Sequence, residues 1–444
     1  MNHIDGFPRA YYYLAKILRG IKMNIRSIPL LLVLCAVIAS SAPAQQTNEN
    51  QIIQAADEAA RTVTKLRGLE QKSPIQKGVK SREEITGFLN KKLQEEYLPE
   101  RIEQEGVLFK KLGFLSESID YRQLLVNLLS EQIEGFYDPE TRMLFLASWL
   151  PAESQDTVMV HEITHALQDQ HFDLQAILRA DRATGDDDRS LAHSALFEGD
   201  GSVVALQYTI SWSNRHFSDL PDLASIYQMS MEVAQSQSET LKASPKFMKE
   251  NLVFPYSYGS AFIQQIWKQN PSWDAINKIY ADLPASTEQI MHPEKYYGTR
   301  DNPKPVDAGA LAARLGTDWK ITYKNVFGEF MLGQLLNLHM TEERAKRAAM
   351  GWGGDQVILL KNSAGKTAAW IETEWDTKED AEKFFAAMDE WFRLHYPNDS
   401  RKNVTANGFS LTRNGEVGSL RKNGAGVRII IGIPEADNKK LENL

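Results

Sequence analysis

The chain has 444 residues, 43% of them hydrophobic and 24% charged, with a net charge of −8. That length calls for two or three domains, and that composition for a soluble globular protein, not a disordered one. The acidic balance argues against a nucleic-acid partner, because phosphate binding needs concentrated Lys and Arg.

The N-terminus reads as a targeting segment, residues 1–44. Met23-Asn-Ile-Arg26 is a short basic start, Ile28 to Ala39 is apolar, and Ala42-Pro43-Ala44 has the small-x-small pattern of a signal-peptidase site. The apolar run is too short for a permanent bilayer span. The expectation is an exported chain, periplasmic or secreted, whose signal spans about residues 23–44 and which keeps no stable membrane span after cleavage. The only cysteine, Cys35, lies in that run. Disulfides, thiolate zinc sites and thiol catalysis are therefore excluded from the mature protein, and any metal site must be built from His, Asp and Glu.

Residues 45–115 read as a helical, polar N-terminal region. Ser81-x-x-Glu84 is a capping box opening a helix towards Leu98, and Pro99 separates it from the next. Tyr121 to Ile133 has one apolar helical face. Gly135-Phe-Tyr137, a turn at Asp138-Pro-Glu-Thr141 and Met143 to Leu146 predict a hairpin. A helix from about Ser154 to Gln170 follows, then the loop Thr184-Gly-Asp186-Asp-Asp188, whose acids complement the dipole of a second helix from about Ser190 to Ser211. More helices fill 221–280. After Asn302-Pro-Lys-Pro305 the pattern changes to a helix at 328–338, strands near 356–361 and 367–373, a helix at 378–393, and strands near 409–413, 417–422 and 427–433. Gly351-Trp-Gly-Gly354 reads as a turn. The division is thus 116–300 as one domain and 301–444 as a second, of unknown role. The fold class is α+β: a mainly helical domain with a small sheet, followed by a C-terminal α+β domain.

The chemistry centres on His161-Glu162-Ile163-Thr164-His165. Histidines four apart on a helix share one face and can share a tetrahedral Zn²⁺, while Glu162 faces the same water as general base. A third protein ligand is required. His171 stands six residues after His165, but it needs a helix break, and Gln168 is a good helix former. Glu198 on the next helix is favoured. In Glu198-Gly199-Asp200, Gly199 permits close helix packing and Asp200 can hold a ligand histidine from behind. His193 is read as a neighbour of the site.

His161-Glu-Ile-Thr-His165-Ala-Leu-Gln-Asp169 resembles the H-E-L-T-H-A-x-x-D helix of thermolysin-type peptidases. The wider likeness is to gluzincin zinc metallopeptidases, whose third ligand is a glutamate on a second helix, and it covers roughly residues 120–300. The gap to Glu198 is longer here, and Glu-Gly-Asp replaces the thermolysin-type E-x-x-x-D. The resemblance implies that Asp169 orients a zinc-bound histidine. It also implies that a downstream Tyr or His stabilises the oxyanion. His292, in Met291-His292-Pro293, is the first choice for that role. Tyr256 is the second, since Pro255-Tyr256-Ser-Tyr258-Gly259-Ser-Ala-Phe262 is similar to a Y-x-x-G-x-x-F segment of such families. The expected cofactor is Zn²⁺ and the partner a peptide or protein substrate. The rival from another class is a catalytically inactive zincin-fold binding or assembly protein of the cell envelope.

Overall fold

The computed structural model describes residues 49–95, 99–149 and 152–441; the targeting segment lies outside them. The N-terminal part holds helices α1 (Glu49–Arg67), α2 (Arg82–Glu95), α3 (Pro99–Lys111), α4 (Tyr121–Gln132), α5 (Ala152–Phe172), α6 (Leu174–Thr184), α7 (Asp187–Ile210), α8 (Leu223–Gln237) and α9 (Lys246–Gln269). The expected capping box forms, with Glu84 N–H on Ser81 Oγ at 3.2 Å and Ser81 N–H on Glu84 Oε2 at 2.7 Å. Asp186 caps α7 by accepting from Arg189 N–H at 2.9 Å. The hairpin is present as β2 (Gly135–Asp138) and β3 (Met143–Ala147). A further strand, β1 (Gln76–Lys80), runs parallel to β3 and leaves β2 at the outside of a three-stranded sheet. Sequence reading took this stretch as helical, because five residues rich in Gln, Lys and Gly show no strand alternation until β3 supplies the partner.

α5 and α7 form the centre of this part. Val158, Met159, Val160, Ile163, Ala166 and Leu167 of α5 share one core with Ala192, Ala195, Leu196 and Val203 to Leu206 of α7. α7 also meets α9 at backbone distance. A Cβ on Gly199 would lie 2.2 Å from the carbonyl carbon of Gly259, and one on Gly259 2.0 Å from the carbonyl oxygen of Ala195. Neither position admits a side chain.

The C-terminal part is a seven-stranded antiparallel sheet in the order β4-β5-β6-β10-β9-β8-β7. Its strands are β4 (Trp319–Asn325), β5 (Trp352–Asn362), β6 (Thr367–Trp375), β7 (Arg401–Thr405), β8 (Gly408–Arg413), β9 (Glu416–Asn423) and β10 (Gly426–Pro434). It carries helices α10 (Gly328–Asn337), α11 (Glu342–Ala349) and α12 (Lys378–His395). The two outer strands, β4 and β7, and the polar helix α11 escape sequence reading. β7 is mostly polar and exposed, whereas β4 does alternate apolar residues at Trp319, Ile321 and Tyr323, a strand signal present in the sequence. The expected Gly351–Gly354 turn is confined to Gly351, at φ 79°. Trp352 already pairs across to Trp375. Phe384, Met388, Trp391 and Phe392 of α12 are buried in a core that also takes in Phe109 of α3, Leu112 just after it, Leu128 of α4 and Met231 of α8. One face of the sheet therefore packs against both α12 and the N-terminal helices.

Carboxyls are buried along this junction. Burial pushes Asp355 up to about 7 against hydrogen bonds from Phe327 N–H, Gly328 N–H and Trp352 Nε1–H. Burial also raises Glu105, which accepts from Tyr323 O–H, and Glu288; next to β2 in the N-terminal sheet, burial lifts Glu134 to about 7. These groups bind protons more tightly folded than unfolded. Their contribution is complete below the ordinary carboxyl range and is lost as pH rises through about 7. The thermal midpoint is accordingly expected to fall between about pH 5 and pH 8. A midpoint that climbs across that window, followed by circular dichroism, would contradict this assignment.

Candidate metal centre

α5 presents His161 and His165 one turn apart, and α7 brings Glu198 to them. His161 Nε2 lies 2.9 Å from Glu198 Oε2, His165 Nε2 lies 3.4 Å from the same oxygen, and the two Nε2 atoms are 3.0 Å apart. Bonds of about 2.0–2.1 Å to a tetrahedral zinc place two ligand atoms roughly 3.3 Å apart, so this triangle has the right size. Its chemistry agrees. His165 Nδ1 sits 2.8 Å from Gln168 Oε1, so that nitrogen carries the hydrogen. In a neutral His165, Nε2 is then a lone pair facing other acceptors, an arrangement that a cation satisfies. The histidine side chains are 9% and 11% exposed and that of Glu198 is 26% exposed, so the triad opens to solvent on the glutamate side.

Gly201 makes room for the rings. A Cβ there would lie 3.1–3.2 Å from both imidazoles. Among the side chains themselves, burial works against charge on His165, but the Glu198 carboxylate outweighs it and lifts the pKa to about 9. Burial likewise opposes charge on Glu198, yet His165 and His161 hold it far below the usual carboxylate range.

Glu162 is 7% exposed. Burial raises its pKa against the pull of both histidines, while its Oε2 accepts from Tyr137 N–H on β2 at 2.9 Å. The edge strand thus holds the carboxyl beside the triad. Tyr256, on α9, stacks against His161 with ring centroids 6.0 Å apart and planes 29° from parallel.

Other expected residues stand differently. His292 Nε2 is 2.8 Å from Glu329 Oε1 on α10, so the first-choice oxyanion donor is engaged with a buried carboxylate, and Tyr256 is the one beside the ligands. Asp169 accepts from Tyr137 O–H at 2.9 Å and supports the edge strand; the contact behind His165 comes from Gln168. Asp200, expected behind a ligand histidine, instead binds Arg67 of α1 through two hydrogen bonds of 2.7 and 3.0 Å. It also accepts from Tyr280 O–H at 2.8 Å. It points away from the rings because Gly199 and Gly201, its neighbours, hold the sides of α7 that face α9 and the histidines. α5 continues unbroken to Phe172, and His171 Nε2 meets the carbonyl oxygen of Glu70 at 2.7 Å. His193 Nδ1 pairs with Asp181 at 2.8 Å. Gln168, Gly201, Tyr137 and Arg67 escaped sequence reading as site residues. The i,i+3 spacing of Gln168 from His165 and the Gly-x-Gly step after Glu198 were the signals for two of them.

A second group of three carboxylates, Glu288, Asp301 and Asp376, is close enough together to hold a cation. The ammonium of Lys295 fills it, at 2.5, 2.9 and 2.8 Å from the three.

Residues 319–442, the span from β4 to just beyond β10, match a family described as "Domain of unknown function (DUF8575)". No curated protein matches the chain. A solved structure described as "a putative hydrolase with a novel fold", from Chloroflexus aurantiacus, is similar to it. The likeness has a TM-score of 0.36 and 16% identity, and covers 61% of this chain and 96% of that one. A likeness of that strength transfers no chemistry.

Proposed function

We propose that this chain is an exported zinc-dependent metallopeptidase that hydrolyses peptide bonds. The observation that carries the reading is the convergence of His161, His165 and Glu198, with the buried Glu162 carboxyl next along the helix from the first ligand. Zinc bound by these three would supply Lewis-acid polarisation to a water and a substrate carbonyl. Glu162 takes the proton of the attacking water and returns it to the leaving amine. A carboxyl whose pKa burial has raised suits both transfers. Tyr256 is the candidate to donate its O–H to the oxyanion of the tetrahedral intermediate. β2, outermost among the described strands of its sheet, offers an edge on which an extended peptide can lie. Export rests on the signal pattern of residues 23–44.

The test is direct. The purified mature chain, from Gln45, should hold one zinc and cut members of a mixed peptide library, with cut positions read by mass spectrometry. A chelator should abolish the cutting and added zinc restore it. Stoichiometric zinc with no cleavage of any peptide would move the reading to the inactive zincin-fold binding protein. No tightly held metal would sink it.

A further inference from the structure

We propose that Gln168 is a positioning residue for the metal centre, setting the tautomer of His165 and tying that ligand to the backbone beside Glu198. The inference rests on the metal-site reading above. Gln168 is fully buried between α5 and α7. Its Nε2 lies 3.1 Å from the carbonyl oxygen of Phe197, an atom that can only accept, so the orientation of the amide is settled. Oε1 must then be the atom facing His165 Nδ1 at 2.8 Å, and Nδ1 must carry the hydrogen. That leaves His165 Nε2 as the lone pair turned to the triad, 3.0 Å from His161 Nε2 and 3.4 Å from Glu198 Oε2. Phe197 immediately precedes Glu198. One side chain therefore joins the second ligand, three residues back on its own helix, to the segment that supplies the third.

The position has no packing reason to be polar. Leu167 beside it and Phe197, whose carbonyl it meets, belong to an apolar core, where an amide is costly unless both its ends are satisfied. Gln168 satisfies both ends, one on each helix, and the two bonds act on the same centre. A partner that fixes the free ring nitrogen of a metal-bound histidine also sets its orientation and basicity.

Two variants test this, Gln168→Met and Gln168→Glu. Each is read by zinc affinity in chelator competition, by the His165 Nδ1–H proton resonance of the zinc-loaded chain, and by the thermal midpoint without zinc. Gln168→Met removes both hydrogen bonds at similar volume. It is expected to weaken zinc binding about 10- to 100-fold and to shift the Nδ1–H resonance upfield. Gln168→Glu keeps an acceptor for Nδ1–H and should retain the downfield resonance. A Met variant that melts earlier yet binds zinc as tightly as the unaltered chain would show a purely structural role and overturn the proposal. So would a Glu variant that loses the resonance, which decides the matter if the Met variant does not fold. An unaltered chain that binds no zinc would overturn the metal-site reading itself, and this inference with it.

Discussion

Replacing Glu162 by Gln is expected to lower peptide hydrolysis by about 10²–10⁴-fold, the usual worth of a positioned general base, while zinc content stays at that of the unaltered chain. The two effects separate because Glu162 lies outside the ligand triad. His161, His165 and Glu198 supply the three converging atoms, and Glu162 Oε2 accepts from Tyr137 N–H on the edge strand. A glutamine has the same shape, and its carbonyl oxygen can keep the hydrogen bond to Tyr137. It cannot take a proton from water. Steady-state rates on a peptide that the unaltered chain cuts, beside metal analysis of both proteins, make the comparison. Undiminished hydrolysis would require another base. Loss of zinc along with the rate would mean that Glu162 acts on the metal site and not on the proton.

The second large effect is on the metal itself. Glu198→Ala should abolish tight zinc binding, weakening it by more than the roughly 10- to 100-fold typical of a lost supporting contact. His171→Ala should leave zinc binding intact. Glu198 brings its carboxylate oxygen to within 2.9 and 3.4 Å of the two imidazole nitrogens. Without it two neutral nitrogens face solvent with no negative charge to favour a cation. The fold should survive, because the Glu198 side chain is 26% exposed and contributes nothing to the apolar core. His171 lies at the end of α5 and spends its Nε2 on the backbone of Glu70, so its removal costs one surface contact. Metal content by mass spectrometry decides between them. Zinc lost with His171 and kept without Glu198 would reverse the ligand assignment.

How much of this was legible beforehand follows the distance over which each interaction acts. α5 and the His161–His165 pair are local. Buried residues at 158–160, 163 and 166–167 and ligands at i and i+4 lie within five turns of one helix, so periodicity alone places them on one body. The capping box at Ser81 and the hairpin at Gly135–Ala147 are local for the same reason. Strands β7 and β1 carry little pattern of their own, and a neighbouring strand decides their conformation; the alternation of Trp319, Ile321 and Tyr323 in β4 was, by contrast, legible. The choice of Glu198 as the candidate third ligand could be reasoned from residue type, since a mature chain without cysteine leaves only His, Asp and Glu to hold a metal.

The supporting contacts could not be reasoned that way. Gln168 reaches Phe197 across 29 residues and Arg67 reaches Asp200 across 133, and both bonds exist only because α1, α5 and α7 pack side by side. Asp169 and Asp200 carry the charge expected of histidine partners. Their direction was decided by the rotation of each helix in the core, which turns Asp169 to Tyr137 and Asp200 to Arg67 and Tyr280. By itself, then, the sequence determined the helix that bears the His161–His165 pair and Glu162 beside it, because side-chain spacing on one helix is a property of the backbone. The tertiary structure alone decided which groups stand behind the ligands and which tyrosine stands next to them. Those depend on how close two helices approach, and here Gly199, Gly201 and Gly259 set that distance.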